Sequence, residues 1–126
     1  MGPNTQLDAE HTYDLYRRGL ELLEDGSFGE ATVPLAEAAR REPEKTSVRE
    51  ALGRAYFRNR QFTEAAAEFE AVVKTHLVND FAQFCLGRAL SMAGHAERAR
   101  HHLALAACLR PDRRDYRVYR DRALSA

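Results

Sequence analysis

The chain has 126 residues, 44% hydrophobic and 30% charged, with 19 basic and 19 acidic side chains and a formal net charge of zero. That length suits one domain with a modest core. The neutral balance gives no global pull toward nucleic acid or an anionic membrane, and no apolar run approaches the ~20 residues that span a bilayer.

Residues 1–8 are polar, include Gly2 and Pro3 and lack periodicity, so a frayed tail is expected there. The same stretch lacks the basic and apolar regions of a signal peptide, which makes the cytoplasm the expected setting. The first helix is predicted from Asp8 or Ala9 to Glu24, with Leu15, Gly19, Leu22 and Leu23 on one stripe. Asp25-Gly26 is a turn signal at which Gly26 supplies a positive φ. Ser27 and Glu30 then have the spacing of a capping box for a second helix. Pro34 falls inside that helix, removes one hydrogen bond and is expected to kink it on its convex side. Pro43 stops it.

Further helices are predicted near 46–59 and 62–75, then near 80–93 and 96–109, each pair joined by a short polar turn. After Pro111 an amphipathic piece over 114–124 sets Tyr116, Tyr119 and Ala123 on one side. The total is seven helices and no strands. Cys85 and Cys108 fall in different helices of a chain large enough not to need a disulfide, and both are expected as reduced packing residues.

The helices repeat. Shifted by 34 residues, Gly19 falls on Gly53 and Gly87, Ala31 on Ala65 and Ala99, and Leu35 on Phe69 and Leu103. Three gapless units follow, 12–45, 46–79 and 80–113, and a constant spacing of small and large positions is what lets copies stack as a solenoid. The residues Leu52-Gly53, Tyr56, Ala65 and Phe69, with closing Pro43 and Pro111, resemble the tetratricopeptide repeat signature. Departures are Arg18 in place of Leu, Leu22 and Leu90 in place of Tyr, Leu77 in place of Pro, and Leu15, Arg49 and Gln83 where Trp is common. The resemblance implies an all-α, right-handed superhelix of three repeats with a capping helix at 114–124, the whole of 9–126 forming one domain.

It also implies a concave groove lined by the first helix of each pair, where a peptide or partner helix lies. Carried over, that points to Tyr13, Tyr16, Arg17 and Leu20, then Glu50, Arg54, Phe57 and Arg58. Phe81, Phe84, Arg88 and Met92 follow, and the capping helix adds Val118, Tyr119 and Arg122. Arg54 and Arg88 are one period apart, and Arg122 continues the row. Aromatic walls with a row of Arg suit an acidic, partly apolar peptide. In the opposing reading these Arg pair with Glu50 or Asp80 and the aromatics only pack. Tetratricopeptide domains that clamp a heat-shock-protein tail use Lys, Asn, Asn, Lys and Arg. The matching positions here are Tyr16, Leu20, Ala51, Phe81 and Cys85, which argues against that tail as ligand.

No catalytic residues, metal site or cofactor are expected. His95, His101 and His102 cluster, but no further ligand converges with them, and no phosphate loop or nucleophile elbow occurs. The expected role is a non-catalytic adaptor, scaffold or chaperone-like binder of another protein. Two alternatives stand: self-association, with a neighbour's tail or capping helix in the groove, and nucleic-acid binding through the Arg- and Tyr-rich C-terminal helix.

Overall fold

The computed structural model describes residues 5–125, and the side chains from Asp8 onward. Among these residues there are seven helices and no strands: α1 (Thr5–Glu24), α2 (Phe28–Arg41), α3 (Thr46–Arg58), α4 (Phe62–Thr75), α5 (Asp80–Met92), α6 (Ala96–Leu109) and α7 (Arg114–Ser125). Pairs α1/α2, α3/α4 and α5/α6 are antiparallel hairpins. Each helix packs chiefly on its neighbours in sequence, and α1 also touches α3.

The 34-residue period is a packing period. A Cβ placed on Gly19, Gly53 or Gly87 would lie 2.3 Å from Leu35, 2.7 Å from Phe69 and 2.6 Å from Leu103 respectively. In every hairpin, therefore, a large residue sixteen positions on fills the space that glycine vacates. Burying Leu35, Phe69 and Leu103 contributes about 1.5–3 kcal/mol each. One apolar cluster joins α1, α2 and α3, a second joins α4, α5 and α6, and a third holds Phe84, Leu103, Ala106, Ala107 and Tyr116. The last helix covers the end of the core as its stripe predicts: Tyr116 is fully buried, with Tyr119 and Ala123 packed beside it.

The turns repeat as faithfully. Within each hairpin two closing bonds recur, Ser27 N–H to Leu22 and Gly26 N–H to Leu23, then Gln61 to Tyr56 and Arg60 to Phe57, then His95 to Leu90 and Gly94 to Ser91. This turn requires a left-handed residue. Gly26 (φ 80°) and Gly94 (φ 92°) supply it without strain, whereas Arg60 (φ 63°) occupies the same slot in the middle hairpin. Between hairpins the N–H of Lys45, Asn79 and Arg113 reaches the carbonyl of Glu42, His76 and Arg110, each at 3.1 Å. Pro43, Leu77 and Pro111 hold the second position of these turns.

Of the three positions where the signature commonly has Trp, Leu15 packs on the first apolar cluster and the other two make polar ties. Arg49 Nε donates to the Pro43 carbonyl, Gln83 Nε2 to that of Leu77, and Arg117, one period further, to that of Pro111. Each thus ties its helix, α3, α5 or α7, to the turn before it.

Four expectations need correction. Helix α1 begins at Thr5 rather than Asp8, so the expected tail over 1–8 is helical from residue 5, and residues 1–4 lie outside the described residues. Ser27 is the N-cap of α2, yet its side chain makes no capping bond and its ψ is 65°. The capping geometry is found instead at Asn79, whose Oδ1 accepts from Ala82 N–H with ψ near extended at 97°. Pro34 is buried rather than convex, beside Leu15 and Leu22 of α1. Cys108 is exposed, so only Cys85 packs as foreseen, and neither is bonded.

Candidate functional site

The inward faces of α1, α3 and α5 enclose a groove of about 360 Å³. Of the residues expected to line it, Leu20, Arg54, Phe57, Arg58, Phe81, Phe84 and Arg88 do so together. Leu20, Arg54 and Arg88 share one repeat position, which places them in register on successive helices.

The cations of this groove are not spent on carboxylates. Among the described residues, Arg54, Arg58 and Arg88 form no ion pair, and Arg54 is exposed. The two carboxylates weighed as their partners hydrogen-bond to neutral donors instead: Glu50 Oε1 accepts from Asn79 Nδ2 at 2.8 Å, and Asp80 Oδ2 from the Tyr116 hydroxyl at 2.7 Å, while the Glu50 charge stays close enough to act on Cys85 beside Arg54 and Arg88. Aromatic faces hold the guanidiniums instead. Arg88 lies 4.9 Å from the Phe57 ring centre, 4.6 Å from Tyr119 and 6.0 Å from Phe84, and Arg58 lies 4.5 Å from Phe28. Such contacts orient a cation without neutralising it. Glu24 is the one carboxylate in the lining.

Other expected site residues fall outside this groove. Tyr13 is 58% exposed on a shallow surface with Ala9, Glu10 and Asp14. Arg17 pairs loosely with Asp14 at 3.7 Å in solvent. Tyr16 is half-buried against the first apolar cluster, not turned to water. Phe84, which does line the groove, is only 8% exposed because it stacks on Tyr116 at 4.5 Å, leaving just part of its surface to the groove. Met92 and Arg122 line an adjoining cavity of about 210 Å³ with Arg88, Tyr119 and Ser91. Arg88 thus separates two compartments.

Leu23, Glu24, Phe28, Phe69 and Cys85 complete the lining and were not foreseen. The repeat spacing gave no signal for Phe28, since its equivalent one period on, Phe62, does not line the groove. The Cys85 thiol is pushed up to about 12, first by burial and then by Glu50, and stays protonated at neutral pH.

His102 is half-buried, with its basicity lowered first by burial and then by His101 and Arg98. Among the described residues no cluster of three or more His, Cys, Asp or Glu could hold a metal ion, and no helix is long and apolar enough to cross a membrane. At the C-terminus Arg110, Arg113 and Arg120 pair with Asp112, Asp115 and Asp121. Tyr116 is buried and Tyr119 packs edge-on against Phe84 at 5.3 Å. Three of the Arg residues on the basic-aromatic surface weighed for nucleic acid are thus paired with neighbouring Asp, and its two Tyr pack against Phe84.

No family model matches the chain, and no curated protein matches it. Solved structures do. The C-terminal tetratricopeptide-containing domain of a Plasmodium falciparum putative FK506-binding protein superposes with a TM-score of 0.87 at 22% identity, over 98% of this chain and 92% of that one. The tetratricopeptide domain of Arabidopsis OM64 gives 0.85 at 15% identity, over 94% and 98%. The first tetratricopeptide domain of Spaghetti (RPAP3), bound to the HSP90 peptide SRMEEVD, gives 0.85 at 17%, over 92% of each chain. The fold is that of a tetratricopeptide repeat domain, as the resemblance of Leu52-Gly53, Tyr56, Ala65 and Phe69 implied.

Proposed function

We propose that this chain is a non-catalytic protein-interaction module whose groove takes an acidic, partly apolar peptide or helix. The observation that carries this is the set of three guanidiniums, Arg54, Arg58 and Arg88, standing without carboxylate partners among the described residues beside Phe57, Phe81 and Phe28. Carboxylates on a ligand would supply the missing counter-charges, and the rings would cover an apolar side chain. The chain acts as an adaptor or scaffold, and the cytoplasm is its inferred setting.

The Spaghetti domain shares this fold and is bound to an HSP90 peptide. Its ligand does not carry over by fold alone. In this chain the positions matching a tail clamp are Tyr16, Leu20, Ala51, Phe81 and Cys85, none of which offers a cation to a terminal carboxylate. The recognition expected here runs through different side chains.

The test is a selection from a random peptide library against the chain, counter-screened on Arg54→Glu with Arg88→Glu. Selected peptides should combine Asp or Glu with an aromatic or large aliphatic residue, and their Kd should rise at least about tenfold on the still-helical double variant. Peptides without acidic bias, or an unchanged Kd, would overturn the reading.

A further inference from the structure

The formal neutrality of the chain conceals a division. Up to Lys45 there are ten Asp and Glu against five Lys and Arg; from Thr46 onward there are nine against fourteen. The first hairpin with its lead-in is acidic, and the solenoid beyond it, which supplies the groove's cations, is basic by the same amount.

The acidic part includes a projecting element. Helices α3 and α5 start at Thr46 and Asp80, whose equivalent in the first hairpin is Thr12, yet α1 starts at Thr5. It overhangs its counterparts by seven residues, about 10 Å at the helical rise. Asp8, Ala9, Glu10 and His11 on the overhang are exposed, as are Tyr13 and Asp14 just beyond it. This stretch carries three carboxylates, Asp8, Glu10 and Asp14, of which Glu10 and Asp14 flank the outward-facing Tyr13 and Asp14 also meets Arg17 at 3.7 Å; acid beside an apolar anchor complements the groove's cations. Since α1 is one continuous helix anchored by the buried Thr12, its start cannot fold back into its own groove. Contact between the two requires a second copy.

End-on stacking of copies is disfavoured by a particular residue. In the second and third hairpins Leu52 and Leu86 are buried against the preceding hairpin, whereas Arg18 in the equivalent position of α1 is exposed. Burying it unpaired would carry a desolvation penalty. The groove is the better receptor.

The geometry points to self-recognition: the acidic start of α1 in one copy, with Tyr13 as its apolar anchor, docks in the Arg54–Arg58–Arg88 groove of another. This rests on the groove reading above and names its occupant. The contact joins two different surfaces, so it either propagates or closes as a reciprocal pair.

The test is the mass of the full chain in solution as concentration rises, at low and at high salt. The wild type should move from one chain to two or more, with the midpoint concentration raised at least about tenfold by salt screening. A donor variant (Asp8→Lys, Tyr13→Ala, Asp14→Lys) and an acceptor variant (Arg54→Glu, Arg88→Glu) should each stay monomeric alone. Mixed in equal amounts they should regain a two-chain mass, since one keeps an intact groove and the other an intact helix. If the loss of the Arg88 ring contacts unfolds the acceptor, Arg54→Glu with Arg58→Glu takes its place. A wild type monomeric throughout, association that survives either variant, or a mixture that stays monomeric overturns the inference. A monomeric wild type that still selects acidic peptides through Arg54 and Arg88 would remove self-recognition and leave the groove reading intact.

Discussion

His102 Nδ1–H donates to Gln83 Oε1 at 2.7 Å, in the slot where the preceding hairpin pairs Arg49 Nη1 with Glu68 Oε1 at 2.9 Å. The two pairs are one period apart, and each links the first helix of a hairpin to its second across nineteen residues. In the first hairpin the same two positions are Leu15 and Pro34, which line one depression together. One structural slot is thus filled by an ion pair, a neutral hydrogen bond and an apolar contact. Pro34 serves that slot as an apolar side chain beside Leu15.

The neutral pair gives a pH dependence. Burial holds the His102 imidazole below its ordinary 6.5. The unfolded chain therefore binds a proton before the folded one does, and stability falls as pH drops through about 6.5. Urea midpoints at pH about 7.5 and about 5.5 should differ less for His102→Gln than for the wild type. An equal loss in both would assign the pH dependence elsewhere.

At the same N-terminal end of α5, the Tyr116 hydroxyl holds Asp80 at 2.7 Å while its ring stacks on Phe84. Removing only the hydroxyl, in Tyr116→Phe, leaves Asp80 without this donor and should cost about 1–2 kcal/mol in chemical denaturation. Removing the ring as well, in Tyr116→Ala, should cost about 3–5 kcal/mol by opening a cavity beneath the last helix.

Gly53 faces Phe69 with no room to spare. A methyl group there would meet ring carbons at 2.7 and 2.8 Å, so Gly53→Ala should destabilise by about 1–3 kcal/mol despite the better helix propensity of Ala. Phe69→Ala in that background should relieve part of the loss, as a double-mutant cycle would show.

The middle hairpin departs from its neighbours twice, and both departures can be reversed. Arg60 holds a left-handed φ that Gly26 and Gly94 adopt without strain; Arg60→Gly should stabilise by up to about 1 kcal/mol. Leu77, 67% exposed, sits where Pro43 and Pro111 close the equivalent turns; Leu77→Pro should add about 0.4–1 kcal/mol by restricting the unfolded chain. Thermal midpoints for the two changes should rise independently and add.

The fold was legible because its determinants are short-range and periodic. Helix boundaries after the first followed from Gly26, Pro43, Asn79, Gly94 and Pro111, and the stacking from glycines and alanines in fixed register. The ties that lock the hairpins were not legible. Arg49 to Glu68 and Glu50 to Asn79 connect residues nineteen and twenty-nine apart, and nothing in a helical period tells which polar side chain turns toward which. The same gap explains the site. Leu20, Arg54 and Arg88 could be aligned by counting, but the burial of Phe84 depended on where α7 came to rest. Ser27 misled because its spacing to Glu30 suits a cap, while the backbone there had already taken a different closing turn.

The chain is wired in series. Helices two apart meet more lightly, as where α1 touches α3, Arg88 of α5 reaches Phe57 of α3, and Tyr116 of α7 holds Asp80 of α5, so among the described residues the hairpin from Thr46 to Thr75 is the main mechanical coupling between the hairpins on either side of it. A lesion at Gly53 or Phe69 would leave both flanking hairpins locally whole and yet free to swing, and the groove would lose its shape before any of its own side chains had changed.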